Sequence, residues 1–423
     1  MSSMIDSCEV VLWGKTVGIA YWDAERRLAF FEYDPIFVKS DLEVAPLKMP
    51  LTIGRSFSFP NLRYDTYFGL PGLLADALPD YFGNQVIHAY LVSQGRSPDS
   101  FSPIEKLCYV GKRGIGALEF KPAVIRKRKS QPVAVNELAV LAEKILKNRG
   151  EIRSVLNPDD AAFHDILQVG SSAGGARPKA LIAWNRQTNE VYSGQVEAPP
   201  GFEYWLLKFA SRDDRKEYGR IEYSYYLMAQ AAGIEMNECR LLEDHGVAHF
   251  MTRRFDRTND GRKTHLQSFC ALGHYDFNDP FSNTYESAFQ LMRKLKIDGK
   301  EQLFRRMIFN IAARNQDDHT KNIAFLMDTQ GKWTLSPAYD MSWAYKHGLQ
   351  EWTSRHQMSV CGKHDHITKN DILTLAEHVE IPHARTILEE VLEAANGYLR
   401  FAAAAQVDSA IATRMFKQFH LLA

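Results

Sequence analysis

Between residues 315 and 342 the chain sets an acid, an amide five positions later, and a second acid beyond a pair of strand-like runs. The first stretch is Asn315-Gln316-Asp317-Asp318-His319-Thr320-Lys321-Asn322 and the second is Pro337-Ala338-Tyr339-Asp340-Met341-Ser342. This order constrains the fold, because it asks for a helix ahead of the first loop and a strand behind it. Both flanks are legible. Phe304, Met307, Ile308 and Ile311 recur at i, i+3, i+4 and i+7, one apolar helical face. Ile323-Ala324-Phe325-Leu326 then reads as a strand.

Acid, amide and acid in this sequence order serve phosphoryl transfer in kinases. There the first Asp, here Asp317, accepts or orients a hydroxyl proton, while Asn322 and Asp340 hold magnesium on the phosphates. Oxygen ligands suit this hard cation, which usually takes one or two carboxylates with phosphate oxygens and water. Any one of these acids alone reads first as a loop or capping residue; the whole order argues for chemistry. Zinc is disfavoured, since His319 has no second His or Cys at ligand spacing. His319 reads instead as a buried orienting residue beside the phosphate site.

Lys208 stands in Trp205-Leu206-Leu207-Lys208-Phe209, a lysine inside an apolar strand. A buried ammonium needs an anionic partner, and ATP phosphates plus the carboxylate of Glu222, at the start of the next helix, would supply one. The plainer alternative is an edge-strand lysine reaching solvent. Upstream lies Gly170-Ser171-Ser172-Ala173-Gly174-Gly175-Ala176-Arg177-Pro178-Lys179, whose small residues let backbone N–H groups approach phosphates. It is not a Walker A loop: GxxxxGK[ST] is absent and a strand follows. Ser171, Ser172, Ala173, Gly174, Gly175 and Lys179 are the candidate phosphate-contacting residues. Phosphorylation of Ser171 or Ser172 would place about two negative charges in that cradle and repel ATP.

Composition sets the frame. The 423 residues suggest two or three domains at about 150 residues each. With 45% hydrophobic and 24% charged residues the chain has a full core, so a disordered or collagen-like chain is excluded. Fifty-one basic against fifty-one acidic side chains argue against a wholly electropositive DNA clamp. Five scattered cysteines without CxxC spacing read as reduced thiols. The start MSSMIDSCEV is no signal peptide and no apolar run approaches the roughly 18 residues of a membrane span; the expectation is a soluble cytoplasmic protein. Three blocks follow: residues 1–125, a small α+β unit; 131–255, with the glycine-rich loop and the strand lysine; and 256–423, mainly helical. Leu28–Tyr33, Ala180–Trp184, Tyr204–Phe209 and Val247–Met251 read as strands, as does Gly114–Phe120. Leu70–Leu91, Tyr223–Gly233 and Ile387–Ala405 read as helical, with Gly233 as a C-terminal cap. The connector Arg126-Lys127-Arg128-Lys129-Ser130-Gln131-Pro132 reads as a solvated linker, a docking patch for nucleic acid or an acidic partner being the alternative.

Assembled, these residues resemble the HipA family, the serine/threonine kinase toxins of bacterial HipBA-type toxin–antitoxin systems. Phe31-Glu32-Tyr33-Asp34, Gly72-Leu73-Leu74-Ala75-Asp76-Ala77-Leu78-Pro79-Asp80 and Gly114-Ile115-Gly116-Ala117-Leu118 look like its N-terminal subdomain. Gly175-Ala176-Arg177-Pro178-Lys179, Arg254-Phe255-Asp256-Arg257, Asp317-Asp318-His319-Thr320-Lys321-Asn322 and Tyr339-Asp340-Met341-Ser342 look like its kinase core. The resemblance implies an α+β, bilobed, protein-kinase-like and phosphoinositide-kinase-like fold with an extra N-terminal α+β subdomain and a mainly helical C-terminal lobe. It carries over Lys208 as the ATP lysine, Asp317 as catalytic base, and Asn322 and Asp340 as Mg²⁺ ligands. It also implies autophosphorylation of a loop serine, Ser172 fitting best and Ser171 next. Family targets include aminoacyl-tRNA synthetases, and the usual partner is a HipB-like helix-turn-helix antitoxin that carries the toxin to operator DNA. Arg177 stands where the family usually has glutamine, and His265-Leu266-Gln267-Ser268 lacks the acidic residue expected after the glutamine.

Overall fold

The computed structural model describes residues 5–79, 81–93, 95–97, 100–124, 132–147, 177–195, 197–210, 217–346, 348 and 352–422. The chain divides into two compact units that interleave along the sequence. One comprises Met1–Asp213, Leu242–Gln267 and Met327–Gly331; the other Asp214–Leu241, Ser268–Leu326 and Lys332–Ala423. Among the described residues no helix is long and apolar enough to cross a membrane. All five cysteines are free thiols.

The first unit holds two antiparallel sheets. Strands β1 (Ser7–Leu12), β2 (Lys15–Asp23), β3 (Leu28–Tyr33), β4 (Ser56–Phe57) and β5 (Leu118–Lys121) pair in the order β4-β3-β2-β1-β5. The strand expected over Leu28–Tyr33 forms with those bounds. The strand expected over Gly114–Phe120 does not begin until Leu118. The backbone of Gly114 and Gly116 is taken instead by side chains. Asp256 accepts from the Gly116 N–H at 2.7 Å, and Arg257 donates to the Gly116 and Gly114 carbonyls, each at 2.8 Å. Gly116 sits at φ +76°, where a Cβ would come within 3.2 Å of the Leu266 backbone. The helix expected over Leu70–Leu91 is two pieces, Gly72–Ala75 and Tyr81–Ser93. Pro79 lies between them; it has no N–H to donate and drives its predecessor out of the helical region.

The second sheet of this unit contains β6 (Lys179–Trp184), β7 (Val191–Ser193), β8 (Glu203–Lys208), β9 (Cys239–Asp244) and β10 (Val247–Arg253), in the order β7-β6-β8-β10-β9. One face is apolar: Ala180, Ile182, Trp205, Leu207 and Met251 pack with Phe82, Val86, Leu138, Ala142 and Ile145 of the helices Tyr81–Ser93 and Val135–Lys147. Burying each large side chain contributes about 1.5–3 kcal/mol. That fixes the register, since a one-residue slip of β8 would turn Lys208 into this core and Leu207 out of it.

Two imidazoles are folded into the first unit. His249 is 2% exposed, and its Nδ1 accepts from the Ala210 N–H at 3.0 Å; His265 is fully buried. Burial lowers both, each to about 4 from an ordinary 6.5. The unfolded chain therefore takes up these protons near pH 6.5, whereas the fold resists them until about pH 4. Stability is complete above pH 6.5 and falls as pH drops towards 4, by at most about 1.4 kcal/mol per pH unit for each histidine. Thermal midpoints of the full chain at pH 7.5, 6 and 5 check this. The decline should be shallower in His249→Gln, which keeps an acceptor but cannot titrate.

In the second unit the helix Lys300–Ala312 buries the expected stripe, with Phe304, Met307, Ile308 and Ile311 at most 1% exposed. It packs on the helix Ala384–Asn396. The single helical run expected over Ile387–Ala405 is broken at Gly397, ahead of Tyr398–Ala404; glycine is a poor helix former. The helix Tyr218–Ala231 belongs to this unit, and Gly233, at φ +70°, ends it by donating its N–H to Gln230 O at 3.0 Å.

Candidate active site

The helix Lys300–Ala312 stops at Ala313, and Arg314, with φ +56°, turns the chain out of the helical path. The loop that follows carries two consecutive acids with opposite surroundings. Asp318 is 3% exposed and saturated. Its Oδ2 accepts from the Tyr285 hydroxyl at 2.8 Å and faces His356 Nδ1 at 2.9 Å, and its Oδ1 accepts from the Gln357 N–H at 2.8 Å. Burial, together with the neighbouring Asp318 charge, pushes the Tyr285 phenol well above its ordinary range, so it serves as a donor. Asn310 Nδ2 donates back to Tyr285 at 3.0 Å, and Asn315 Nδ2 donates to Asn310 Oδ1 at 2.9 Å. A buried carboxylate is tolerated when its lone pairs are filled in this way.

Asp317, by contrast, is half-buried. Its Oδ1 accepts from the Trp352 indole N–H at 2.7 Å and lies 3.9 Å from His319 Nε2. No donor among the described residues reaches its Oδ2. Asn322, on the one-turn helix Thr320–Asn322, donates its amide N–H to the Asp317 backbone carbonyl at 2.8 Å. The amide nitrogen is thereby used within the loop. Thr320 Oγ1 donates to Tyr275 O at 2.8 Å. Lys321 places its ammonium 4.6 Å over the Phe277 ring, and the same ring lies 5.5 Å from that of His319.

The strands Ala324–Met327 and Trp333–Leu335 are neighbours in one sheet and return the chain towards the second acid. That return is held at three points. Arg306 donates to Ser336 O at 2.6 Å, Ala338 N–H to Glu235 O at 2.8 Å, and the Tyr339 hydroxyl to Lys321 O at 2.6 Å. Asp340 then adopts φ +56°, a left-handed conformation that is uncommon for a residue with a Cβ and recurrent at functional sites. Asp317, His319, Asn322 and Asp340 thus lie in one unit, the last two tied to the Asp317 loop through the backbone.

A divalent cation can be tested against this donor set. Among the described residues no three His, Cys, Asp or Glu side chains converge as a closed metal site. The oxygen donors expected from the sequence are one amide, Asn322, and one carboxylate, Asp340. That sparse, all-oxygen pair fits magnesium, which keeps water and phosphate oxygens as its other ligands.

The other candidates lie elsewhere in the chain. Lys208 is on β8, the central strand of its sheet rather than an edge, and is partly exposed. Its cross-strand neighbours are Lys179 on one side and Phe250 on the other, and its ammonium lies 5.7 Å over the Phe250 ring. Opposed residues share a face, so Lys179 and Lys208 both project from the sheet face away from the apolar core. Glu222 is 2% exposed on the helix Tyr218–Ala231. Ser171, Ser172, Ala173, Gly174 and Gly175 lie outside the described residues, as does most of the linker run from Arg126.

Arg254 and Arg257 form salt bridges to Asp256 at 2.7 and 2.9 Å. Burial alone would raise the Asp256 carboxyl, but the two guanidiniums override it and hold it far below the usual range. The Arg-Phe-Asp-Arg run is therefore a structural clasp on the Gly114–Gly116 turn. Sequence spacing did not single out Trp352, Tyr285, His356 or Gln357. The doubled acid at 317 and 318 was visible, but not which of the two would be saturated.

Comparison with known proteins follows the same outline. Over 98% of this chain and 96% of the other, the structure resembles HipA of Shewanella oneidensis MR-1, solved with HipB and its operator DNA, at a TM-score of 0.66 and 18% sequence identity. The molecule is thus an α+β protein of HipA-like kinase fold with an N-terminal sheet subdomain. The HipA N-terminal domain matches residues 8–121 and the HipA-like C-terminal domain residues 171–398; the chain belongs to the HipA family. A curated relative from Sinorhizobium fredii (strain NBRC 101917 / NGR234), named "Putative kinase Y4mE", is 26% identical over 125 residues. That match spans 27% of this chain and 30% of the relative.

Proposed function

We propose that this protein is an ATP- and Mg²⁺-dependent serine/threonine protein kinase of the HipA toxin type. The observation that carries the reading is the division of labour between neighbouring acids: Asp318 is held by three partners and anchors the loop, while Asp317 keeps one carboxylate oxygen that no donor among the described residues reaches. In this reading Asp317 takes the proton of a seryl or threonyl hydroxyl as its oxygen attacks the γ-phosphorus, and the bond to the bridging oxygen of ADP breaks. Asn322 and Asp340 would hold magnesium, which supplies charge neutralisation on the phosphates. Lys208, with Lys179, Glu222 and the backbone of Ala173, Gly174 and Gly175, would hold ATP, and His319 would orient the loop. Ser172, then Ser171, is the proposed autophosphorylation site.

In the same proposal, residues 1–125 form the HipA-like N-terminal subdomain, 131–255 the ATP-binding lobe and 256–423 the helical lobe. The Shewanella HipA was solved with HipB and operator DNA; by that likeness we propose a HipB-like antitoxin as partner, with operator DNA reached mainly through it. The substrate is proposed to be a cytoplasmic protein, an aminoacyl-tRNA synthetase being the first to test, whose modification would slow translation. Purified protein is incubated with Mg²⁺, γ-labelled ATP and cell lysate. Label in protein, on serine or threonine, is the expected result. Label confined to metabolites would make it a small-molecule kinase; no transfer, with tight binding of an antitoxin–DNA complex, would make it a silent repressor partner.

A further inference from the structure

The one-turn helix Trp352–Ser354 carries a tryptophan that the phosphoryl-transfer motif does not include. Trp352 is 41% exposed, unusual for so large an apolar ring, yet its indole N–H is committed to Asp317 Oδ1 at 2.7 Å. An indole nitrogen only donates, so the contact requires an unprotonated Oδ1. His319 Nε2 stands 3.9 Å from the same oxygen. Both ring nitrogens thus face Oδ1, and Oδ2 is left as the oxygen open to a substrate hydroxyl.

The segment bearing Trp352 is also built to hold it in place. Gln357 donates its side-chain amide to Trp352 O at 2.7 Å, Arg355 O at 2.9 Å and Gln316 O at 3.2 Å. Its backbone N–H binds Asp318 Oδ1 at 2.8 Å. The carbonyl of Trp352 and Asp318, the residue next to Asp317, are therefore gripped by one buried glutamine, 1% exposed. A ring free to swing would need no such clamp.

On this basis, and resting on the kinase reading above, we infer that Trp352 is a positioning residue for phosphoryl transfer. It fixes the Asp317 carboxylate so that Oδ2 alone receives the hydroxyl proton, and its exposed ring forms an apolar wall beside the acceptor.

Trp352→Phe keeps a ring and removes the donor. In the full chain kcat should fall about tenfold, the range of one lost hydrogen bond to a charged group, with KM for ATP unchanged and the thermal midpoint held. Trp352→His, which can still donate a ring N–H, should recover part of the loss. Independently of activity, the Trp352 indole N–H, assigned among seven tryptophans by its disappearance in Trp352→Phe, should exchange slowly with solvent in the wild type and quickly in Asp317→Ala. If Trp352→Phe matches or exceeds an active wild type, or the indole proton ignores the loss of Asp317, the inference is overturned and the kinase reading stands. A wild type without phosphotransfer removes the kinase reading, and with it the catalytic role of Trp352, even where the indole contact is seen.

Discussion

Replacing Asp317 by Asn is expected to lower phosphoryl transfer by about 10²–10⁴-fold, the range for loss of a positioned general base, while leaving the fold intact. The side chain is half-buried, and its recorded contacts are the indole of Trp352 and the ring of His319. An amide of the same shape keeps an oxygen for the indole but cannot take a hydroxyl proton. Stability should therefore change by less than about 1 kcal/mol. Steady-state rates alongside urea unfolding separate the two effects. Unchanged turnover would remove Asp317 from the chemistry.

One residue along, the outcome should reverse. Asp318→Ala takes the acceptor from the Tyr285 hydroxyl, the His356 ring and the Gln357 N–H at once, leaving buried donors with nothing to bind. Removing one partner of a buried charged network destabilises by about 3–5 kcal/mol. Urea unfolding of the full chain should show that loss, and activity should fall with it, because the Asp317 loop and the Trp352 segment hang from the same carboxylate. A loss below about 1 kcal/mol would mean that the network carries little of the loop's order. Adjacent acids would thus give one variant that is folded and inactive and another that is unstable.

Much of this was legible in the residues themselves. Short β-rich runs bounded by turn-forming or polar residues marked Leu28–Tyr33 and the strands around Lys208, and helical spacing marked the stripe from Phe304 to Ile311, since these patterns are local. The order Asp317, Asn322, Asp340 could be singled out as a candidate because phosphoryl transfer constrains both residue type and spacing. What escaped was long-range. Tyr285, His356 and Gln357 reach Asp318 from more than thirty residues away, and nothing in a single sequence ties a lone tryptophan at 352 to an aspartate at 317. The helix Tyr218–Ala231 could be read from its own pattern, but not its place in the second unit, because periodicity reveals which face is apolar and not which surface covers it. Pro79 and Gly397 were visible, yet their power to split helices was underestimated.

The clasp at Arg254-Phe255-Asp256-Arg257 bears on how relatives are interpreted. Its most conspicuous residues serve masonry, so a paralogue that has drifted into enzymatic silence would have every reason to retain that signature. On the proposed function, the residue to look for in a homologue is the counterpart of Asp317; inheritance of the clasp attests to architecture alone.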